Sequence, residues 1–396
     1  MKKLNLIFMS LFISSFFTVL AIFTISRQFP LNILGLEGIP KYLVGLVFIS
    51  SLPFILKNIF FNKKRDVTIL TIFVTMLISI HSYYSLFVVC NPYGTLRFYL
   101  ILLFVLLAYH VHLRKFVLDW FIFANIIQSL FLLLFELYLV FVASQPEISQ
   151  IRYYFLTNRI GDVYTYNGFF YRIQILGNPL IPFSFFISVL LRKNKVIKLI
   201  LFIGIIISAN LAFYIATSLF LLFYILAKVK NNKQLIGNIL KVGFIILLCS
   251  FPVIFYLEYI LSKKKYSLEV RADQLNVLIN DMSTSWITAI LGKGLGNLIN
   301  ISTPLRDYSA YGYYFELQTI YIFNQMGILA LIYYAIIIYI TYRLYNRKLL
   351  FIYLFYIMYA VTNPYIFDTT HIIVILILNI IQREYYGKNI RNSNNV

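Results

Sequence analysis

Apolar runs of about twenty residues recur from the first residues of this chain almost to its last, and that recurrence leaves few folds open. A hydrocarbon core roughly 30 Å thick is crossed by a helix of about 20 apolar residues, because only a helix satisfies its own backbone N–H and C=O groups there. Read this way, the sequence predicts about twelve helices, at 4–26, 40–61, 67–90, 96–112, 116–143, 176–191, 196–210, 212–227, 236–261, 314–342, 349–362 and 370–382. The stretch 196–227 is too long for one ordinary span, and Ser208-Ala209-Asn210 divides it into two short helices that rise and return. Composition agrees. Of the 396 residues 61% are hydrophobic, 18% aromatic and only 12% charged, far from the make-up of a soluble domain. The expected fold is all-α: a polytopic integral membrane protein forming one membrane domain over 1–396, with no soluble catalytic domain left over. The opening MKKLNLIFMSLFISSFF has the basic flank and apolar run of a signal peptide but no small-x-small site before Arg27, so it reads as a retained first helix.

The charge is lopsided, with 34 Lys and Arg against 14 Asp and Glu, a net +20. With the N-terminus in the cytoplasm, 22 of the 34 basic residues fall on the inner side, including the clusters NKKR, HLRK, RKNK, KVKNNK and RLYNRK. That segregation is the positive-inside pattern, which accounts for most of the charge without nucleic acid, with both termini inside. Cys90 and Cys249 lie in or beside apolar runs and read as core packing, not as a disulfide or metal site. No metal site and no cofactor is expected, and no internal repeat of the transporter kind is visible.

Twelve basic residues remain outside, and nine of them sit in two segments. The first is the external loop 144–175, with Arg152, Arg159 and Arg172. The second is the large loop 262–313, with Lys263, Lys264, Lys265, Arg271, Lys293 and Arg306. Guanidinium forks match phosphate oxygens, and the interleaved Tyr and Phe offer faces for sugar rings. Contact with lipid head groups is the plainer reading, above all for Lys263–Lys265.

Four stretches stand in a telling order: FYRIQILGNPLIP, VRADQLNVLI, LGKGLGN and YFELQTIYIFNQMGILALIYY. An Arg followed by Gly-Asn-Pro opening a helix, a second Arg, a Gly-x-Gly turn, then a polar Glu with Gly-Ile-Leu about ten residues on resembles the O-antigen polymerase and ligase family of bacterial membrane glycosyltransferases. The resemblance covers residues 152–368 and implies a GT-C-like membrane fold with one large external loop, located in the bacterial cytoplasmic membrane. It implies an enzyme that joins repeat units carried on a polyprenyl diphosphate, serving as donor and acceptor, into O-antigen or capsular polysaccharide. Metal and nucleotide sugar are not needed, and membrane lipid, a chain-length regulator and a flippase are the expected partners. Glu316 stands where the ligases commonly carry His, which points to the polymerase branch; transfer of glycan to lipid A core is the alternative, and a flippase or solute transporter a more distant one.

Such a reaction needs stabilisation of the departing diphosphate and a base for the attacking hydroxyl. The candidates are Arg172 and Arg271 for the first and Glu316 for the second, with Arg152, Arg159, Lys293 and Gln318 as substrate-binding residues. Glu316 is placed at the external end of a continuous helix 314–342, with Gly327 on its side of the helix; a helix-capping acid is the bland alternative. Gly177, Gly294 and Gly296, like Gly327, read as structural glycines. Asp368 and His371, at an external helix break, line a site or belong to a packing network. Glu136, His81 and Asn210 within spans face the same two readings, and Asp119 is expected to reach water or Lys115.

Overall fold

The computed structural model describes residues 65–111, 113–158, 161–165, 170–227, 268–309 and 315–386, with Leu56 and Ile59. The helices expected at 4–26 and 236–261, most of that at 40–61, both termini, and Arg159, Cys249 and Lys263–Lys265 lie outside them.

The described chain is mostly helical: α1 Arg65–Val89, α2 Pro92–Ala108, α3 Lys115–Phe141, α4 Gln145–Thr157, α5 Leu180–Leu190, α6 Lys195–Ile207 and α7 Leu211–Leu226. Residues 268–282 are helical (α8), followed by α9 Trp286–Leu291, α10 Gln318–Met326, α11 Ile328–Leu344, α12 Arg347–Ala360 and α13 Thr369–Ile381. Among them α1 and α3 are long and apolar enough to cross a membrane by length and composition.

Helix starts are set by a recurring device. Asn91, Asn194, Asn210, Asn346 and Asp368 each accept a hydrogen bond from a backbone N–H in the first turn of α2, α6, α7, α12 and α13, satisfying a donor the helix itself leaves open. The Asn91-Pro92 pair, cap and first helical residue, starts α2 four residues before the expected Leu96 boundary. The pair α6 and α7 is divided at Ser208–Asn210 as the sequence predicts, with Ala209 at φ 47°.

Three expectations are corrected. The segment 144–175 is not a bare loop, although the described chain is mostly helical, in keeping with the expected all-α class. After α4 comes an antiparallel hairpin, β1 Gly161–Thr165 and β2 Tyr171–Ile175, with Tyr164 opposite Arg172. In β2, Tyr171, Ile173 and Ile175 are buried while Arg172 and Gln174 are half-exposed, the two-residue alternation of a one-sided strand. The large loop is helical over 268–282, burying Val270, Gln274, Val277 and Leu278 at helical spacing. The continuous helix expected over 314–342 is two helices: α10 ends at Gly327 (φ 58°, ψ −140°), where α11 begins. Cys90 is also not in the core; it is exposed in the α1–α2 turn at φ 53°.

The core sits where α3 meets α5 and α6, α1 meets α2, and α7 meets α12. Helix α3 also braces the hairpin from below. Glu136 Oε1 accepts from Tyr171 N at 2.9 Å, and Gln128 Nε2 donates to Asn178 Oδ1 at 3.1 Å. Asn178 Nδ2 in turn donates to the Ile173 carbonyl at 2.7 Å. The two residues flanking Arg172 are thus tied, one directly and one through Asn178, to a single helix.

Candidate active site

The broken helix creates the environment of Glu316. A backbone that leaves helical geometry exposes carbonyls that need other donors, and here the glycine segment after α9 supplies them. Lys293 N donates to the Asn324 carbonyl at 2.9 Å and Gly294 N to the Gln325 carbonyl at 3.0 Å. The fit is backbone against backbone: a Cβ on Gly292 would run into the Gln325 carbonyl, and one on Gly327 into the Ile290 carbonyl. The same segment reaches the α1–α2 corner, where Leu295 N donates to Ser85 Oγ at 2.7 Å, Thr95 Oγ1 to the Leu295 carbonyl at 2.8 Å and Asn91 Nδ2 to the Gly296 carbonyl at 3.1 Å. His81 Nε2 lies 3.2 Å from the Gln325 carbonyl.

Glu316 itself is outside the helix. Leu317 is the N-cap of α10, and its N–H donates to Gln274 Oε1 of α8 at 2.9 Å. The helical-wheel relation of Glu316 to Gly327 therefore does not hold; the carboxylate is placed by the α8–α10 contact. Arg271 Nε donates to Glu316 Oε2 at 3.0 Å, and Arg306 Nη1 lies 3.8 Å from Glu316 Oε1. The side chains of Arg271, Glu316 and Arg306 are 33%, 29% and 24% exposed, so the triad is sheltered yet reachable. A guanidinium has five donors. Glu316 takes the Nε donor of Arg271, and both of its Nη groups remain for another acceptor among the described residues.

Arg306 is fixed by its own turn: its N–H donates to Thr303 Oγ1 at 3.1 Å, and Thr303 N donates back to the Arg306 carbonyl at 2.9 Å. Thr303 Oγ1 donates to Asp273 Oδ2 at 2.7 Å, and Tyr308 OH donates to the same oxygen at 2.8 Å. Burial, and then this bond to Asp273, hold the Tyr308 hydroxyl protonated well above the usual tyrosine range. The Tyr308 ring stacks on Phe315 at 5.9 Å, and Phe315 stacks on Tyr321 at 4.3 Å. An aromatic column thus backs the ion cluster.

The hairpin forms a second cationic cluster. Arg152 makes a paired contact with Asp162, at 2.9 and 3.3 Å. The guanidinium carbons of Arg152 and Arg172 lie 5.6 and 5.4 Å from the Tyr164 ring centre, within cation–π range. Arg172 also hydrogen-bonds Tyr164 OH.

The remaining candidates are spread out. Lys293 pairs with Asp281 at 3.5 Å, and Asp281 also accepts from Asn324 Nδ2 at 3.0 Å. Gln318 is buried in the first turn of α10, its Oε1 without a partner among the described residues. Asp368 caps α13 through Thr370 N at 2.7 Å. His371 is buried, with Tyr353 OH at 3.0 Å and the Ile366 carbonyl at 2.9 Å. Gly177 lies in the turn from β2 to α5, its carbonyl accepting from Leu180 N at 3.1 Å. Asp119 pairs with Lys193 at 3.3 Å, not with Lys115.

The sequence reading named Arg271 and Glu316 but passed over Arg306 as a site residue. Its signal was position: it stands ten residues before Glu316 in a Thr-x-x-Arg turn. Among the described residues no group of three or more His, Cys, Asp or Glu is placed to hold a metal ion. No family model matches the chain, and no curated protein is significantly similar to it.

Proposed function

We propose that this chain is a multi-pass enzyme of the bacterial cytoplasmic membrane, with about twelve spans and both termini cytoplasmic. In this reading it polymerises polyprenyl-diphosphate-linked repeat units into O-antigen or capsular polysaccharide. The observation that carries the reading is the Arg271–Glu316–Arg306 triad, a carboxylate between two guanidinium groups at 3.0 and 3.8 Å. In the reaction the acceptor hydroxyl oxygen attacks the anomeric carbon of the donor sugar. The bond from that carbon to the diphosphate oxygen breaks, its electron pair leaving with the diphosphate. The hydroxyl proton passes to Glu316. The Nη fork of Arg271 meets the charge growing on the leaving group, work for which paired, preoriented donors are suited. The second lipid-linked unit is assigned to Arg152 of the hairpin cluster, with the loops 144–175 and 262–313 on the outer face.

The test is polymer formation by the purified protein from lipid-linked repeat units, with substrate binding measured alongside. Glu316→Gln is expected to bind substrate and to turn over about 10²- to 10⁴-fold more slowly. Arg271→Lys, which keeps the charge and loses the fork, is expected to lose most polymer formation. Near-normal turnover by both variants would remove the triad from the chemistry. The glycan profile of a deletion strain separates the two branches: single repeat units on the core follow from a lost polymerase, lipid-linked polymer with naked core from a lost ligase.

A further inference from the structure

Helices α6 and α7 have 13 and 16 residues, so at 1.5 Å per residue they extend only about 20 and 24 Å. Each falls short of a hydrocarbon core of roughly 30 Å, and β2 packs on α6. Between the two helices and the hairpin lies a recess of about 540 Å³, lined by Phe170, Phe202, Ile205, Ile206, Tyr214 and Leu221. That volume lies in the range of small-molecule sites. Two polar features mark its occupant. Thr217, 2% exposed, also lines the recess, and its hydroxyl has no hydrogen-bond partner among the described residues, a state that is costly unless an acceptor enters. Phe170, in the recess wall, stands two residues before Arg172. The segment 144–175 carries Arg152, Arg159 and Arg172 against Glu147 and Asp162, a formal excess of one positive charge.

We infer that this recess is a structural lipid site for an ester-linked glycerophospholipid bearing a single negative charge. One acyl chain fills the apolar recess, an ester carbonyl accepts from Thr217, and the phosphodiester sits at Arg172. A polyprenyl chain has no carbonyl for Thr217. The assignment rests on membrane insertion but not on the polymerase reading.

The test uses the full chain in phosphatidylcholine vesicles containing phosphatidylglycerol with a diazirine in its acyl chain. Irradiation is expected to label Ile205, Ile206 and Leu221 above the lipid-facing residues of α1. Arg172→Gln and Thr217→Val are each expected to weaken that labelling about tenfold, as is an ether-linked analogue lacking the carbonyls. Ser218 also lines the recess, and Ser218→Trp, which fills it, should abolish the labelling without lowering the thermal midpoint. Even labelling over all lipid-facing helices would overturn the inference. So would equal labelling by diazirine phosphatidylcholine, or displacement of the label by polyprenyl phosphate; the latter would give the recess to the substrate. A chain that fails to float with the vesicles would remove the membrane reading and this site together, whereas loss of polymer formation alone leaves the site standing.

Discussion

Glu316 and its two arginines separate stability from chemistry by magnitude. Ion pairs this exposed contribute about 0–1 kcal/mol to folding, while loss of a general base costs about 3–5 kcal/mol in the barrier. Glu316→Gln should therefore leave the thermal midpoint nearly unchanged while turnover collapses; a large fall in the midpoint would assign the triad to structure. Arg306, held by its Thr303 turn, is expected to behave like Arg271, so Arg306→Lys should lower polymer formation at unchanged protein level. Tyr308 gives a pH signature. Its folded-state pKa is raised, so the neutral hydroxyl is favoured, and its contribution is present below about pH 10, the unfolded value. Above that the unfolded chain releases a proton that the folded chain keeps, and stability falls as pH rises through the folded pKa. Unfolding midpoints from neutral pH to pH 11 check this: Tyr308→Phe should flatten the alkaline decline. Arg271 and Glu316 were legible in the sequence because charge is rare in so apolar a chain. Arg306 was not, because what brings it to Glu316 is the bond from its Thr303 turn to Asp273 on α8, and nothing local records that.

At the scale of elements, the break between α10 and α11 is the feature to test. Gly327 and Gly292 both have positive φ, and a Cβ on either meets backbone carbonyl atoms that cannot swing aside. The backbone strain of alanine there is about 1–3 kcal/mol per site before any steric term. Gly327→Ala and Gly292→Ala are expected to lower the thermal midpoint and the yield of monodisperse protein, whereas Lys293→Ala, removing a partly exposed ion pair, should do little; unchanged midpoints in both glycine variants would show that the break tolerates a side chain. Among the described residues helix positions were largely readable from apolar runs, and the asparagine caps explain why their starts shift by a few residues. The break is not legible in the sequence because the apolar pattern of YIFNQMGILALIYY runs straight through the glycine. The hairpin was equally hidden: YRIQI alternates as a strand does, but five residues between two spans look like loop until a partner strand is found.

For the whole molecule, the contacts bear on sidedness. The glycine segment of the large loop touches the α1–α2 turn through Asn91 and Thr95, so loop and turn share one face. At the opposite end of α1, Asp66 pairs with Arg343, and at the start of α3 Asp119 pairs with Lys193; both basic partners belong to the group assigned to the cytoplasm. Cys90, exposed in the α1–α2 turn, is thus a native reporter. In a Cys249→Ser background an impermeant maleimide should label Cys90 in intact spheroplasts, as it should a cysteine placed at Asn300. Labelling of either only after lysis would invert the topology and the proposed outer-face site with it.

The stitch between the glycine segment and Asn324 and Gln325 has a consequence for biogenesis. Its donors, Lys293 N and Gly294 N, leave the ribosome before the acceptors do, while its other partners, Ser85 and Thr95, were made some two hundred residues earlier. In the proposed membrane topology residues 292–297 wait beside an already inserted α1–α2 corner until α10 arrives, because α10 alone presents open carbonyls that lipid does not satisfy. Partition of α10 and closure of the loop then become one event. Nascent chains stalled before Gln318 should leave the α1–α2 corner open to protease from the loop's side, and chains stalled after Leu344 should protect it.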